Sequence, residues 1–207
     1  MIASSYKSIK QAARAEFTEK KSVFISFVAP IDTEGEAISF IDDIRREHSA
    51  ATHVVYAYIN KEGNIARFSD DGEPKGTAGI PVLEILRKED VYGVVCAVVR
   101  YFGGILLGAG GLTRAYSKGA RLALDNATVC KYVKKSKFSF YAEYGIFEKI
   151  KYELLKKGIA VLDVIFEEKV KFEVVTQNEE ELRILLDDFS AGKISLCSLG
   201  EVFALSE

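Results

Sequence analysis

VVRYFGGILLGAGGLTRAYSKGA, residues 98–120, joins an apolar segment to a helical one through five glycines in nine positions. Upstream, GVVCAVVRYF (93–102) is apolar without alternation, which predicts a central strand buried on both faces. Arg100 stands at its end. Downstream, Leu112, Tyr116, Ala120, Ala123 and Ala127 share one face of a helix predicted over 111–128, and Arg114, Lys118 and Arg121 share another. The small residues predict close packing of that helix on a sheet. Glycine permits positive φ and close backbone approach. A glycine cluster before a helix can therefore expose backbone N–H groups as an anion nest, or serve tight packing alone. Both readings stand for Gly103, Gly104, Gly108 and Gly110. GGILLGAGG matches neither G-x-G-x-x-G nor a Walker loop.

Working outward, residues 12–19 and 22–29 are rich in strand formers. Thr33 and Glu36 read as a capping box for a helix over 34–48. HVVYAYIN (53–60) and IARF (65–68) read as a strand and a short returning strand, and a second helix is predicted over 77–89, with Pro81 in its first turn and Thr77 as its cap. After residue 131 the pattern restarts. KKSKFSFYAEY alternates, Phe147, Ile150 and Leu154 mark a helix closed by Gly158, AVLDVIF and VKFEVVT form a hairpin, Asn178 caps a last helix, and KISLCSLGEVFAL closes as a strand. That order, βαββαβ, is ferredoxin-like. The fold class expected is therefore α+β, with domains at 1–130 and 131–207.

FSDDGEPKGTAG (68–79) is the second candidate for chemistry. Asp70, Asp71 and Glu73 can bind a metal or act as acid and base; Ser69, Asp70, Asp71, Gly72, Glu73, Gly76 and Thr77 can equally make a turn that starts a helix. His48 and His53 fall on different elements, so they form no helical metal pair; either can hydrogen-bond an acidic loop residue. No nucleophile elbow or Cys–His arrangement appears, and no cofactor, metal or catalytic residue is assigned. Cys96, Cys130 and Cys197 are far apart. Their pattern excludes a disulfide framework and a zinc site and predicts small buried apolar residues in a reducing compartment.

The 207 residues carry a formal charge of −2, with 16 basic and 16 acidic side chains up to residue 130 and 12 and 14 after it. Nucleic-acid binding would therefore need a local patch. No apolar run approaches the ~20 residues of a membrane span, so no membrane partner is expected. The N-terminal residues lack a signal-peptide core, and a cytoplasmic protein is expected.

Taken together, FSDDGEPKGTAGIPVLEIL, VVRYFGGILLGAGGLTRAYSKGA and the upstream ATHVVYAY resemble the Impact family in its bacterial YigZ-like branch, over about residues 15–127. The resemblance implies an N-terminal β-α two-layer sandwich like domain two of ribosomal protein S-five, and a second domain like domain five of elongation factor G. Both relatives belong to translation machinery, which implies RNA or ribosome association by analogy. Eukaryotic relatives regulate translation through a partner of an initiation-factor kinase, a pathway bacteria lack. No catalytic residues come with the family.

Three functions follow as expectations. The first is a translation-associated RNA- or ribosome-binding regulator, with Arg67, Lys75, Arg100, Arg114, Lys118 and Arg121 on phosphates and Tyr101 or Phe102 stacking on a base if exposed. The second is an enzyme acting on a phosphorylated or anionic small molecule through the acidic loop and glycine-rich cleft. The third is a protein-interaction module with a protein partner docked on the acidic loop and the RYFGG edge.

Overall fold

The computed structural model describes residues 4–206 of the chain. They form two compact units, one running to Tyr132 and the other from Val133. The first contains β1 (Ser5–Ile9), β2 (Ala13–Glu19), β3 (Ser22–Pro30), α1 (Glu34–Glu47), β4 (His53–Ile59), β5 (Ala66–Ser69), α2 (Gly79–Lys88), β6 (Val94–Tyr101) and α3 (Ala109–Asp125). β7 (Val129–Ala142) carries the chain into the second unit, which adds α4 (Phe147–Lys156), β8 (Ala160–Phe166), β9 (Val170–Thr176), α5 (Glu179–Ser190) and β10 (Cys197–Leu205). The fold is α+β.

In the first unit an antiparallel sheet runs β2-β3-β6-β4-β5, with β6 at its centre. Residues 94–99 are wholly buried because both faces of β6 are covered. Val94, Cys96 and Val98 join the core under α2 and α3, whereas Val95, Ala97 and Val99 pack with residues of α1. The helix layer expected on the sheet is thus supplied by α2 and α3, and α1 covers part of the second face. Burial pushes the Cys96 thiol up to about 12, which leaves it an inert apolar residue. Cys197 departs from expectation: it is exposed, because it opens β10 in a run of exposed residues.

Helix starts follow local chemistry. Thr33 Oγ1 accepts the Glu36 N–H at 3.2 Å, while the Glu36 carboxylate reaches back to the Asp32 N–H at 2.7 Å, one residue beyond the usual partner. α3 begins two residues earlier than its apolar period indicates, so Gly110 and Gly111 lie inside its first turn. Further along, a Cβ on Gly119 would stand 2.4 Å from Ser26 Oγ; glycine is what lets α3 lie close on β3.

β2 and β3 meet through a two-residue turn, since Glu19 pairs with Ser22. Lys20 and Lys21 both adopt positive φ, 45° and 65°. This is the turn shape for which Asn-Gly is preferred. Replacing both residues (Lys20→Asn with Lys21→Gly) should therefore stabilise the protein by about 1–2 kcal/mol, as relief of left-handed strain at two positions. Urea unfolding checks it; an unchanged midpoint would show that the turn carries no such strain.

The second unit has the strand order β10-β7-β9-β8 with elements in βαββαβ sequence, a ferredoxin-like arrangement. Phe140 and Phe172 sit opposite one another on β7 and β9 and stack at 4.9 Å. Ile150 and Leu154 of α4 and Leu182, Leu185 and Leu186 of α5 close that core. α4 ends in a Schellman motif, with Ile159 N–H on Leu154 O, Gly158 N–H on Leu155 O and Gly158 at φ 68°. Asn178 caps α5 by accepting the Glu181 N–H at 3.1 Å.

Candidate functional site

The end of β6 organises the first unit's polar centre. The register sets Phe24, Arg100 and His53 abreast on β3, β6 and β4, facing α3. Arg100 and Glu73 are almost fully buried, with side chains 5% and 3% exposed. Arg100 Nη1 donates to Glu73 Oε1 at 2.6 Å, and its Nη2 reaches Ser22 Oγ at 3.4 Å. Its guanidinium lies between the rings of Phe24 (5.6 Å) and Phe102 (5.3 Å), a cation–π sandwich. The same Glu73 oxygen accepts the Tyr116 hydroxyl from α3 at 2.7 Å. Burial first, and the Glu73 carboxylate second, push the Tyr116 phenol well up, so it stays a hydrogen-bond donor. His53 donates Nδ1–H to the Asp71 carbonyl at 2.7 Å and brings Nε2 to 3.8 Å from Glu73.

The loop between β5 and α2 spends each acid on a different partner. Asp70 caps α2: its carboxylate accepts the N–H groups of Gly76 (2.8 Å), Ala78 (3.1 Å) and Gly79 (2.8 Å). Thr77, expected as the cap, instead donates its hydroxyl to Pro74 O at 2.6 Å. The reason is the turn itself, because positive φ at Asp71 and Gly72 folds the chain back and delivers Asp70 to the helix start. Asp71 accepts the Val54 N–H at 2.7 Å and pairs with Arg45 at 3.0 Å. Ser69 Oγ accepts the Asp71 N–H at 3.1 Å. Among the described residues no three His, Cys, Asp or Glu side chains are grouped to hold a metal ion.

The cations named from sequence do not share one cleft. Arg100 is committed to Glu73. Arg67 lies 3.8 Å from Glu34, Lys75 is exposed on the acidic loop, and Arg121 is paired with Glu89 and Asp125. Arg114 and Lys118 remain: both line a hollow of about 250 Å³ with Lys20, Glu19, Leu107 and Gly111. Lys118 Nζ rests 4.4 Å from the centre of the Phe17 ring. None of Lys20, Lys21, Arg114 and Lys118 has an ion-pair partner among the described residues. Lys20 and Lys21 escaped the sequence reasoning, which weighed the helix stripe alone; their signal was a two-residue gap between matched strands ending beside that helix.

The glycines divide by role. Gly103 is a packing residue, since a Cβ there would stand 2.0 Å from the Lys21 carbonyl carbon, and its N–H reaches Ser22 Oγ at 3.2 Å. Gly104 and Gly108 have φ of 80° and 72° with open space around them. No side chain caps α3 at Gly108. Tyr101 points to the opposite face, where its hydroxyl meets His48 Nδ1 at 2.9 Å. Phe102 is half exposed beside Arg100.

With this geometry in place, comparison with known proteins is specific. Residues 20–124 match the Impact N-terminal domain, and residues 142–193 match a domain of unknown function, DUF1949. The chain is similar to IMPACT family member YvyE of Bacillus subtilis, at 38% identity over 177 residues, covering 85% of this chain and 82% of the relative. It is similar to IMPACT family member YigZ of Escherichia coli at 34% identity over 187 residues, covering 88% and 92%. A solved structure described as that of a hypothetical protein superposes with a TM-score of 0.67 at 31% identity, over 96% of this chain and 98% of the other.

Proposed function

Because this chain belongs to the Impact family, we propose that it is a translation-associated regulator that binds RNA or the ribosome in the cytoplasm. The likeness to domains of translation machinery that the family resemblance implies for its two domains supports the setting. No helix among the described residues is long and apolar enough to cross a membrane.

One observation carries the choice of surface: Lys20, Arg114 and Lys118 reach one hollow without ion-pair partners. Three cations facing a single acid, Glu19, give that hollow a local positive charge on a chain whose net charge is −2. Lys21 adds a fourth from the same turn. Phosphates of a single strand or a loop are the partner such a patch suits, because phosphate contacts supply affinity without demanding sequence. Arg121 is excluded from the patch by Glu89 and Asp125, and Arg100 by Glu73.

The test is fluorescence anisotropy with a labelled single-stranded RNA. Arg114→Ala combined with Lys118→Ala should weaken binding by about tenfold or more at ~0.15 M salt. Affinity unchanged in the double variant would remove the hollow from the binding surface.

A further inference from the structure

The first unit's sheet ends at β2, and among the described residues no strand pairs with its outer edge. An open edge is a template for another strand, and proteins commonly blunt it with a proline, a bulge or a very short strand. β2 has none of these: it runs for seven residues without proline, in unbroken register with β3. The two-residue turn at Lys20 and Lys21 makes Glu19 and Ser22 a hydrogen-bonded pair. Alternation then aims the N–H and C=O groups of Phe17, Ala15 and Ala13 at β3, and those of Thr18, Glu16 and Arg14 off the edge. The Asn126 side chain agrees, since its Nδ2 donates to the Arg14 carbonyl at 2.8 Å. That oxygen has a second lone pair for a strand partner. Among the side chains, Arg14, Glu16 and Thr18 are exposed, whereas Ala13, Ala15 and Phe17 pack against the core that includes α3.

Charged side chains can also guard an edge, but the order of these suits a second copy of the same strand. A two-fold axis through Ala15, normal to the sheet, runs two copies of β2 antiparallel. It sets Arg14 opposite the partner's Glu16, and Glu16 opposite the partner's Arg14. Both are positions whose backbone groups point off the edge, so the charge pairs coincide with backbone hydrogen bonds. Ala15 meets its own copy at the close, non-hydrogen-bonded position, where a methyl fits. Phe17 stands opposite the partner's Ala13 on the α3 side, large against small. Moving the axis to Arg14 or to Glu16 sets like charges opposite each other, which disfavours pairing. Moving it to Phe17 sets Arg14 against the partner's Lys20. Arg14 and Glu16 already pair at 2.8 Å within the strand, each about half exposed, on the face that these cross-strand pairs use. We propose that β2 pairs with β2 of a second copy of this chain about Ala15, extending the sheet through a two-fold dimer. The proposal stands on the edge and its charges and is independent of the RNA reading.

The experiment is sedimentation equilibrium of the full chain from about 5 to 500 μM, which spans the affinities of weak to moderate association. A reversible monomer–dimer equilibrium is expected. Arg14→Glu and Glu16→Arg each turn both cross-strand pairs into like-charge pairs, and each should weaken dimerisation about tenfold or more. Mixing the two single variants sets glutamate against arginine at both positions, so a mixed dimer should form with close to the original affinity. The double variant, Arg14→Glu with Glu16→Arg, should recover the dimer as well, which separates charge repulsion from a folding defect. A chain that stays monomeric up to about 500 μM overturns the proposal and leaves Arg14 and Glu16 as guards of a free edge. A dimer that neither single reversal weakens also overturns it, as does a weakened dimer that neither mixing nor the double variant restores.

Discussion

Replacing Glu73 with alanine is expected to cost about 3–5 kcal/mol of unfolding free energy, because it strands a buried guanidinium. Arg100 is held between Phe24 and Phe102 and cannot swing to solvent without breaking both ring contacts. The Tyr116 hydroxyl loses its acceptor in the same step. Removing both charges together (Glu73→Leu with Arg100→Met) should recover most of the loss, since apolar residues of similar volume often replace a buried pair without penalty. Denaturant unfolding of the two variants makes the comparison. A loss below about 1 kcal/mol for Glu73→Ala would mean that the guanidinium has another partner within reach.

Gly103→Ala is expected to be nearly as damaging, at about 3 kcal/mol or more. The added methyl would sit 2.0 Å from the carbonyl carbon and 2.1 Å from the carbonyl oxygen of Lys21, and 2.4 Å from the Ser22 nitrogen. These are backbone atoms of the β2–β3 turn, so no side chain can rotate away. The displaced turn would take Lys20 and Lys21 with it, and RNA affinity should fall along with stability. Gly104→Ala, in open space at φ 80°, should cost only about 1–2 kcal/mol of backbone strain. Thermal unfolding that ranks the two equally would show that the Lys21 contact gives way easily.

Much of this was legible in the sequence. A short unbroken apolar run rich in valine, such as GVVCAVVRYF, reads as a strand covered on both faces, and β6 is one. Alternation in KFSFYA fixed the core face of β7, and Asn178 and Gly158 marked helix ends by side-chain chemistry that needs no tertiary context. What escaped depends on distance along the chain. Asp70 caps a helix nine residues away, which no local cap pattern encodes. Arg100 and Lys118 carry the same charge, yet one is sealed by an acid 27 residues upstream and the other stays unpaired in a hollow. Lys20 joins Arg114 and Lys118 only because the sheet brings β2 beneath α3. Spacing on a helix identifies a shared face; it does not report which of its charges another element has already taken, as Glu89 has taken Arg121.

That distinction supplies the most direct measurement. Each cation that contacts a phosphate contributes about 0.7 to the slope of log affinity against log salt for single-stranded RNA. Single alanine variants of Lys20, Lys21, Arg114 and Lys118 should each lower the slope by about that amount, whereas Arg121→Ala should leave it unchanged. A slope that responds to Arg121 as strongly as to Arg114, or to none of the five, would contradict the placement of RNA in the hollow between the β2–β3 turn and α3.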